Sequence, residues 1–270
     1  MSTDDTARDT QKLVGGGLLV AVALGVGQLL AYAQTLVAAR TLDPAQFGAF
    51  QALLALLLIG NTIALATQAV TARHIVASDP VHRADETAAA WRTTIQAAAL
   101  TAAFWLVISP LIGWALRLDS PATYLLLALT FFPLTVMGGA LGIAQGHETH
   151  ARLASVYLAV GVPKALVTIA ALVAVATLTA GIFGLAAGCA VGAVLCWLLV
   201  RGQFRGGVAR HSTMLREIPA AGYALLALFA LTNLDIVLGR VFLTPEQAGQ
   251  YGVGIIVAKV VTWLPQFVAV

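Results

Sequence analysis

The sequence predicts an all-α fold, a polytopic membrane bundle of about eight transmembrane helices, and three observations carry that expectation. Hydrophobic residues make up 60% of the 270-residue chain and charged residues only 10%, against roughly 25% charged in soluble domains, and mean hydropathy is +0.90. A soluble fold of this size has too little interior to hide that much apolar surface. Five stretches carry no charge: Leu13–Ala39, Gln46–Ala72, Thr93–Leu116, Ser120–Gly146 and Ala165–Val200. A helix needs about 20 apolar residues to cross a hydrocarbon core roughly 30 Å thick, so the first four runs hold one crossing each and the fifth holds parts of two. The alternation of apolar and polar residues that marks an outer-membrane barrel is missing, which argues against that class.

The elements follow in order. Met1–Lys12 is polar and contains three Asp, so it reads as a disordered tail. It is too acidic for a signal-peptide leader, and the apolar run behind it is too long for a cleaved segment, so the first helix, 13–39, stays in the protein. Pro44 precedes the second helix at 47–72, Asp79-Pro80 the third at 91–116, and Ser120-Pro121 the fourth at 121–146. The fifth and sixth, 151–177 and 181–201, share the last long run, broken near Thr177–Gly181. The seventh spans 217–242 with Pro219 at its start, and the eighth spans 248–270 behind Pro245. Proline at these places is a helix-boundary signal. The chain divides into the tail 1–12, a six-helix lobe 13–201, a basic linker 202–216, and 217–270, the first two helices of a second, truncated lobe.

Lys and Arg set the orientation. With the N-terminus inside, inner segments hold Arg8, Lys12, Arg73, Arg83, Arg92, Arg152, Arg201, Arg205, Arg210 and Arg216, while outer loops hold only Arg40, Arg117 and Arg240. That bias predicts a cytoplasmic N-terminus in an inner or plasma membrane. The net charge of +3 expresses this asymmetry and gives no ground for nucleic-acid binding, because the basic residues are scattered without aromatic interleaving.

One internal repeat stands out. Leu42-Asp43-Pro44-Ala45-Gln46-Phe47-Gly48-Ala49-Phe50 returns 201 residues later as Leu243-Thr244-Pro245-Glu246-Gln247-Ala248-Gly249-Gln250-Tyr251. Leu, Pro, Gln and Gly match, and the last position is aromatic in both. The copies follow helices one and seven, six crossings apart, so both run the same way through the bilayer, as in parallel repeats about an axis along the membrane normal. Each copy reads as a tight outer loop: Pro opens the next helix and Gly admits a close neighbour.

Three stretches resemble the MOP exporter superfamily (multidrug, oligosaccharidyl-lipid and polysaccharide exporters), and most of all its polysaccharide-biosynthesis flippases. They are Arg40–Phe50, leading into a helix that ends Gln68-Ala-Val-Thr-Ala-Arg73; Gly142-Ile-Ala-Gln-Gly146; and Asn233-Leu-Asp235 with Leu243–Gly249. The resemblance implies two six-helix lobes without a cofactor, moving lipid-linked sugars by alternating access. Such proteins usually have 12 to 14 helices, so the chain is expected to be a fragment or truncated form.

Buried charges are the candidate site. Lys164 lies about 13 residues from either end of the fifth helix, or ~20 Å of rise, too deep to snorkel. It should face a wet cavity or a partner, beside a bend at Pro163. There it either binds the phosphate of a polyprenyl-phosphate-linked saccharide as a point charge or joins a structural ion pair. Lys259 is a second candidate for the same substrate role. Asp235 is the only acid within a predicted crossing away from its ends. With Thr232 and Asn233 it could gather oxygens around Na+ or carry H+ alone; otherwise it pairs with Lys164 or Lys259. In some members of the superfamily an acidic residue of helix seven couples cations, which adds to the ion-coupling reading.

Other patterns fall away. His147-Glu148-Thr149-His150 has its histidines one residue too close for a zincin pair, so no metal is expected. Cys189 and Cys196 lie on one helix and cannot bridge. No glycine-rich loop precedes a Lys-Ser/Thr pair, so ATP is not bound. Arg201, Arg205, Arg210, His211 and Arg216 form a basic loop that anchors topology on anionic membrane lipids or docks a partner. A MATE-like drug/cation antiporter would be expected to show more intramembrane acid. A membrane enzyme acting on lipid-linked sugar would need carboxylates or histidines grouped at a membrane edge, whereas Asp85-Glu86 reads as a solvated face. The expectation is therefore a transporter, not an enzyme.

Overall fold

The computed structural model describes residues 3–204, 206–208 and 213–268, with side chains described for 15–204, 206–208, 213–255 and 258. Among the described residues there is no strand. The helices are α1 (Thr3–Thr41), α2 (Pro44–Gly60), α3 (Thr62–Ala77), α4 (Arg83–Ala115), α5 (Pro121–Gly146), α6 (His150–Ala174), α7 (Leu178–Val200), α8 (Met214–Phe242) and α9 (Pro245–Val268), with a 3-10 turn at Arg201–Gln203. Among the described residues seven spans are long and apolar enough to cross a membrane: Gly15–Thr41, Pro44–Ala77, Arg83–Ala115, Pro121–Gly146, His150–Ala174, Leu178–Gln203 and Met214–Phe242. This is the architecture of a multi-pass helical membrane protein.

Several boundaries differ from expectation. Helix α1 reaches back to Thr3 rather than beginning at residue 13, because no Pro or Gly interrupts 3–14. Helix α4 begins at Arg83, eight residues earlier than predicted, and takes Asp85 and Glu86 into its first turn. Acids are favoured there by the exposed amides of a helix start. Asp85-Glu86 is therefore a packed helix start rather than a solvated face: Asp85 Oδ1 accepts from Val208 N at 2.8 Å, and Glu86 meets His74. The second predicted helix divides into α2 and α3 at Asn61. Next to that break, Gly60 packs against Trp105 and Phe131, whose rings stack at 4.1 Å between centroids. Helix α6 stops at Ala174, and Thr177 caps α7 by accepting from Ala180 N.

The repeated motif is a helix-start device. In the first copy Asp43 Oδ1 accepts from Gln46 N at 2.8 Å. In the second, Thr244 Oγ1 accepts from Gln247 N at 3.3 Å while Gln247 Oε1 accepts from Thr244 N at 3.1 Å, a reciprocal capping box. Gln46 uses its amide oxygen differently, accepting from Leu178 N at 3.0 Å and so tying α2 to the start of α7. The two copies also touch. A Cβ placed on Gly48 would lie 2.7 Å from Gly249 N, and one on Gly249 would strike the carbonyl of Pro44. Helices α2 and α9 thus cross at their motif glycines and start at the same face of the bundle.

Small residues bring the interior helices together. Along α5, Gly142 lies against Gln68 O and Gly146 against Ile75 and the Ala72 carbonyl, so α3 and α5 run parallel with backbones in contact. Along α7, Gly184, Gly188 and Gly192 face the α6 backbone at Val167 O, Pro163 O and Ala159 O, each within 2.8 Å of the place a Cβ would take. Helix α1 lies on the other flank of α6, where a Cβ on Gly161 would sit 3.1 Å from Gly27 Cα. Close approach at glycine stripes is how membrane helices gain contact when hydrophobic burial between them contributes little.

Candidate functional site

Lys164 is held on α6 between α1 and α7. Apart from Ala174 at its end, the exposed residues of α6 form one stripe, Ala151, Ser155, Leu158, Leu166, Ala170 and Val173. At about 100° per residue Lys164 lies about 200° around from Leu166, on the side that faces the other helices. Its backbone is pinned by Gly188, whose Cβ would fall 2.7 Å from Lys164 Cα and from Pro163 O. The ammonium is half-buried and has no carboxylate partner among the described residues. It lies within electrostatic reach of the buried Cys189 thiol. With α6 ending at Ala174, Lys164 is ten residues from that end and fourteen from His150, about 15 and 21 Å of rise.

Two turns before Lys164, on the same face, is Tyr157. Gln68 Nε2 of α3 donates to Gln145 Oε1 of α5 at 3.2 Å and to Tyr157 Oη at 3.5 Å. An uncharged polar cluster from three helices thus shares the inward side of α6 with an unpaired cation. Sequence reasoning missed Gln68, Gln145 and Tyr157 as a group; the available signal was the seven-residue spacing of Tyr157 and Lys164.

The predicted trio on α8 does not converge. Asn233 is buried at 5% exposure, its Nδ2 donating to Phe229 O at 2.9 Å and Thr232 Oγ1 at 3.0 Å. The Thr232 hydroxyl donates back to Leu228 O at 3.0 Å. Asp235 lies about 200° around the helix from Asn233, is exposed, and accepts from Tyr251 Oη at 3.0 Å. It forms no ion pair with Lys164. Tyr251 is the last residue of the second motif copy, so the motif's aromatic position ties α9 to α8. The side chain of Lys259 lies outside the described residues.

Two further clusters join α8 to the preceding helices. At the motif face, Arg240 Nε donates to Leu116 O at 3.2 Å and Arg117 Nη2 donates to Val241 O at 3.0 Å, so the ends of α4 and α8 exchange arginines. Arg117 takes a positive φ of 52° where it ends α4. At the opposite face His74 lies between Glu86 and Glu217, and Arg73 pairs with Glu217. The predicted HETH segment supplies no metal group among the described residues; His147 Nε2 instead meets Thr87 Oγ1 at 3.0 Å. Burial, and then the nearby charges of Arg83 and Arg152, hold the His147 imidazole below its ordinary pKa of 6.5.

Compared with family models, curated proteins and solved structures, the chain matches none.

Proposed function

We propose that the chain is the membrane part of a transporter that moves a polyprenyl-phosphate-linked saccharide across the bilayer by alternating access, as the resemblance to polysaccharide flippases implies. The observation that carries this reading is Lys164, a cation without an acidic partner on the inward side of a membrane helix. An unpaired charge at that depth is costly. An anionic headgroup arriving from water would lower that cost, and Lys164 would replace part of the phosphate's hydration. The amides of Gln68 and Gln145 and the hydroxyl of Tyr157 are the neutral donors and acceptors that sugar hydroxyls require. A lipid tail would stay in the bilayer while the headgroup moves.

The intramembrane charge balance favours this over a drug/cation antiporter, since Asp235 is engaged by Tyr251 whereas Lys164 has no counter-ion among the described residues. The enzyme alternative would draw on Glu86 and Glu217, and both carboxylates are taken up by side chains of neighbouring helices. Reconstituted protein and a fluorescent polyprenyl-diphosphate saccharide give the test. Lys164→Ala should lower the flipping rate more than tenfold with membrane insertion intact, and Lys164→Arg should retain more activity than Lys164→Gln. Equal rates for all three and wild type would reject the assignment.

A further inference from the structure

His74, Glu86 and Glu217 make a site that cargo binding does not use. His74 lies in the last turn of α3, Glu86 in the first turn of α4 and Glu217 in the first turn of α8. Nδ1 of His74 is 3.2 Å from Glu86 Oε1, and Nε2 is 3.0 Å from Glu217 Oε2. Both ring nitrogens therefore face carboxylate oxygens on two different helices. The side chains are 24%, 30% and 31% exposed, so solvent protons reach the group.

The chemistry is a matter of counting hydrogens. A neutral imidazole has one N–H and one lone pair; an imidazolium has two N–H groups. Between two ionised carboxylates the neutral ring satisfies one and turns its lone pair toward the other. The doubly protonated ring donates to both, and each contact becomes a charge-assisted hydrogen bond. Arg73 and the Thr213 hydroxyl also bind Glu217, the latter at 2.8 Å, so Glu217 keeps partners when the ring is neutral. Other charges lie on the elements packed at this end. Arg83 and Asp85 are on α4, with Asp85 bonded to Val208 N; Arg216 adjoins Glu217 on α8; His147, just past α5, meets Thr87. None of these makes a hydrogen bond to the His74 ring among the described contacts.

We propose that His74, Glu86 and Glu217 form a proton-binding site that clasps the start of α8 to α3 and α4. A proton taken up at His74 completes the bridge from α4 through α3 to α8. Its release leaves one carboxylate facing a lone pair and breaks the bridge to α4, so that of the ionisable contacts between α3 and α8 only the Arg73–Glu217 pair is unaffected and the hold on α8 is weakened. One turn beyond the clasp the buried Gly222 lies beside α3 without a backbone clash: a Cβ there would make ordinary contacts with Ala66 and Ile63, at 3.6 and 3.9 Å. The inference rests on the transporter reading in one respect, that α8 moves against the bundle, and it supplies that motion with a proton as control.

The test uses the full chain in nanodiscs with spin labels at Val76→Cys and Ala220→Cys, both exposed, since the native cysteines are buried. At pH 5.5 the distance distribution should show one short population, and at pH 8.5 a second, longer one. Imidazole is the side chain whose charge ordinarily changes across that interval. His74→Gln should show the longer population at both pH values. His74→Lys, with a fixed charge, and Glu86→Gln, with one carboxylate removed, should show the short population at both, and they serve if His74→Gln fails to fold. A wild-type distribution identical at the two pH values, or a pH response retained in His74→Lys or Glu86→Gln, overturns the proposal. The readout needs no cargo, so its failure leaves the Lys164 assay standing, and failure of that assay leaves this result interpretable.

Discussion

Single residues carry two kinds of information here, and only one of them is local. Lys164 was legible because depth in an apolar run is a property of sequence distance alone. Its orientation also followed from helix geometry, once the exposed stripe of α6 was known. Asp235 and Asn233 are near in sequence but not on the helix surface: two residues apart means nearly opposite faces, so Asn233 is buried while Asp235 meets Tyr251. The His74–Glu217 contact joins residues 143 positions apart, and no local pattern announces it. At this scale His147 offers a pH test. Its pKa is held down in the folded protein, so the unfolded chain takes up the proton first, near pH 6.5, as pH falls. The stability it contributes is present above pH 6.5 and is lost as the pH drops through the lowered folded value. In the His74→Lys background, which removes the opposite contribution proposed for His74, the unfolding midpoint in detergent should therefore fall between pH 7.5 and 5.5. Thr87 Oγ1 already donates to Arg83 O at 2.7 Å, so it accepts from His147, and an amide N–H can take that place. His147→Gln should flatten the pH dependence; an unchanged slope would show that other groups set it. The motif caps give a second test. Asp43→Ala should cost about 1 kcal/mol and Asp43→Asn much less, read from denaturation midpoints.

At the level of elements, the fold class and seven of the eight expected crossings were readable because hydrocarbon thickness imposes a length that any charge-free run must meet. Boundaries were less so: prolines marked the starts of α2, α5 and α9, but the start of α4 depends on Asp85 and Glu86 finding Val208 and His74. The way helices pair was not legible, since glycines are frequent along the chain and only some sit at contacts. Gly15 meets nothing within 4 Å, whereas Gly188 holds the α6 backbone at Pro163 and Lys164. That difference is testable. Gly188→Leu should overpack the α6–α7 seam, lowering stability by about 1–3 kcal/mol, and should displace Lys164 so that flipping falls as well. Gly15→Leu should leave both unchanged. If Gly188→Leu kept full transport, Lys164 would not need the position the seam gives it.

Across the whole molecule, α8 and α9 are fixed to the other helices by contacts of different character at the two faces. At the motif face the attachment is backbone against backbone at Gly48 and Gly249, reinforced by the exchanged arginines Arg117 and Arg240. At the other face the ionisable set around His74 is added to the buried side chains of Met214 and Ile218. Close backbone fit at one end and an ionisable cluster at the other respond to different perturbations, and the proposed alternating access would draw on that difference. The steric end can be challenged directly. Gly249→Val places side-chain atoms against the Pro44 carbonyl and should part α2 from α9. Gln51, 8% exposed, lies under Gly252 of α9, with 3.3 Å between its Cγ and the place a Cβ on that glycine would take. A cysteine at Gln51 should therefore react slowly with a membrane-impermeant maleimide in the parent chain and severalfold faster beside Gly249→Val. The same cysteine with Gly15→Leu controls for general loosening. Equal labelling in all three would mean that the motif glycines only permit a close approach and do not govern whether that face opens.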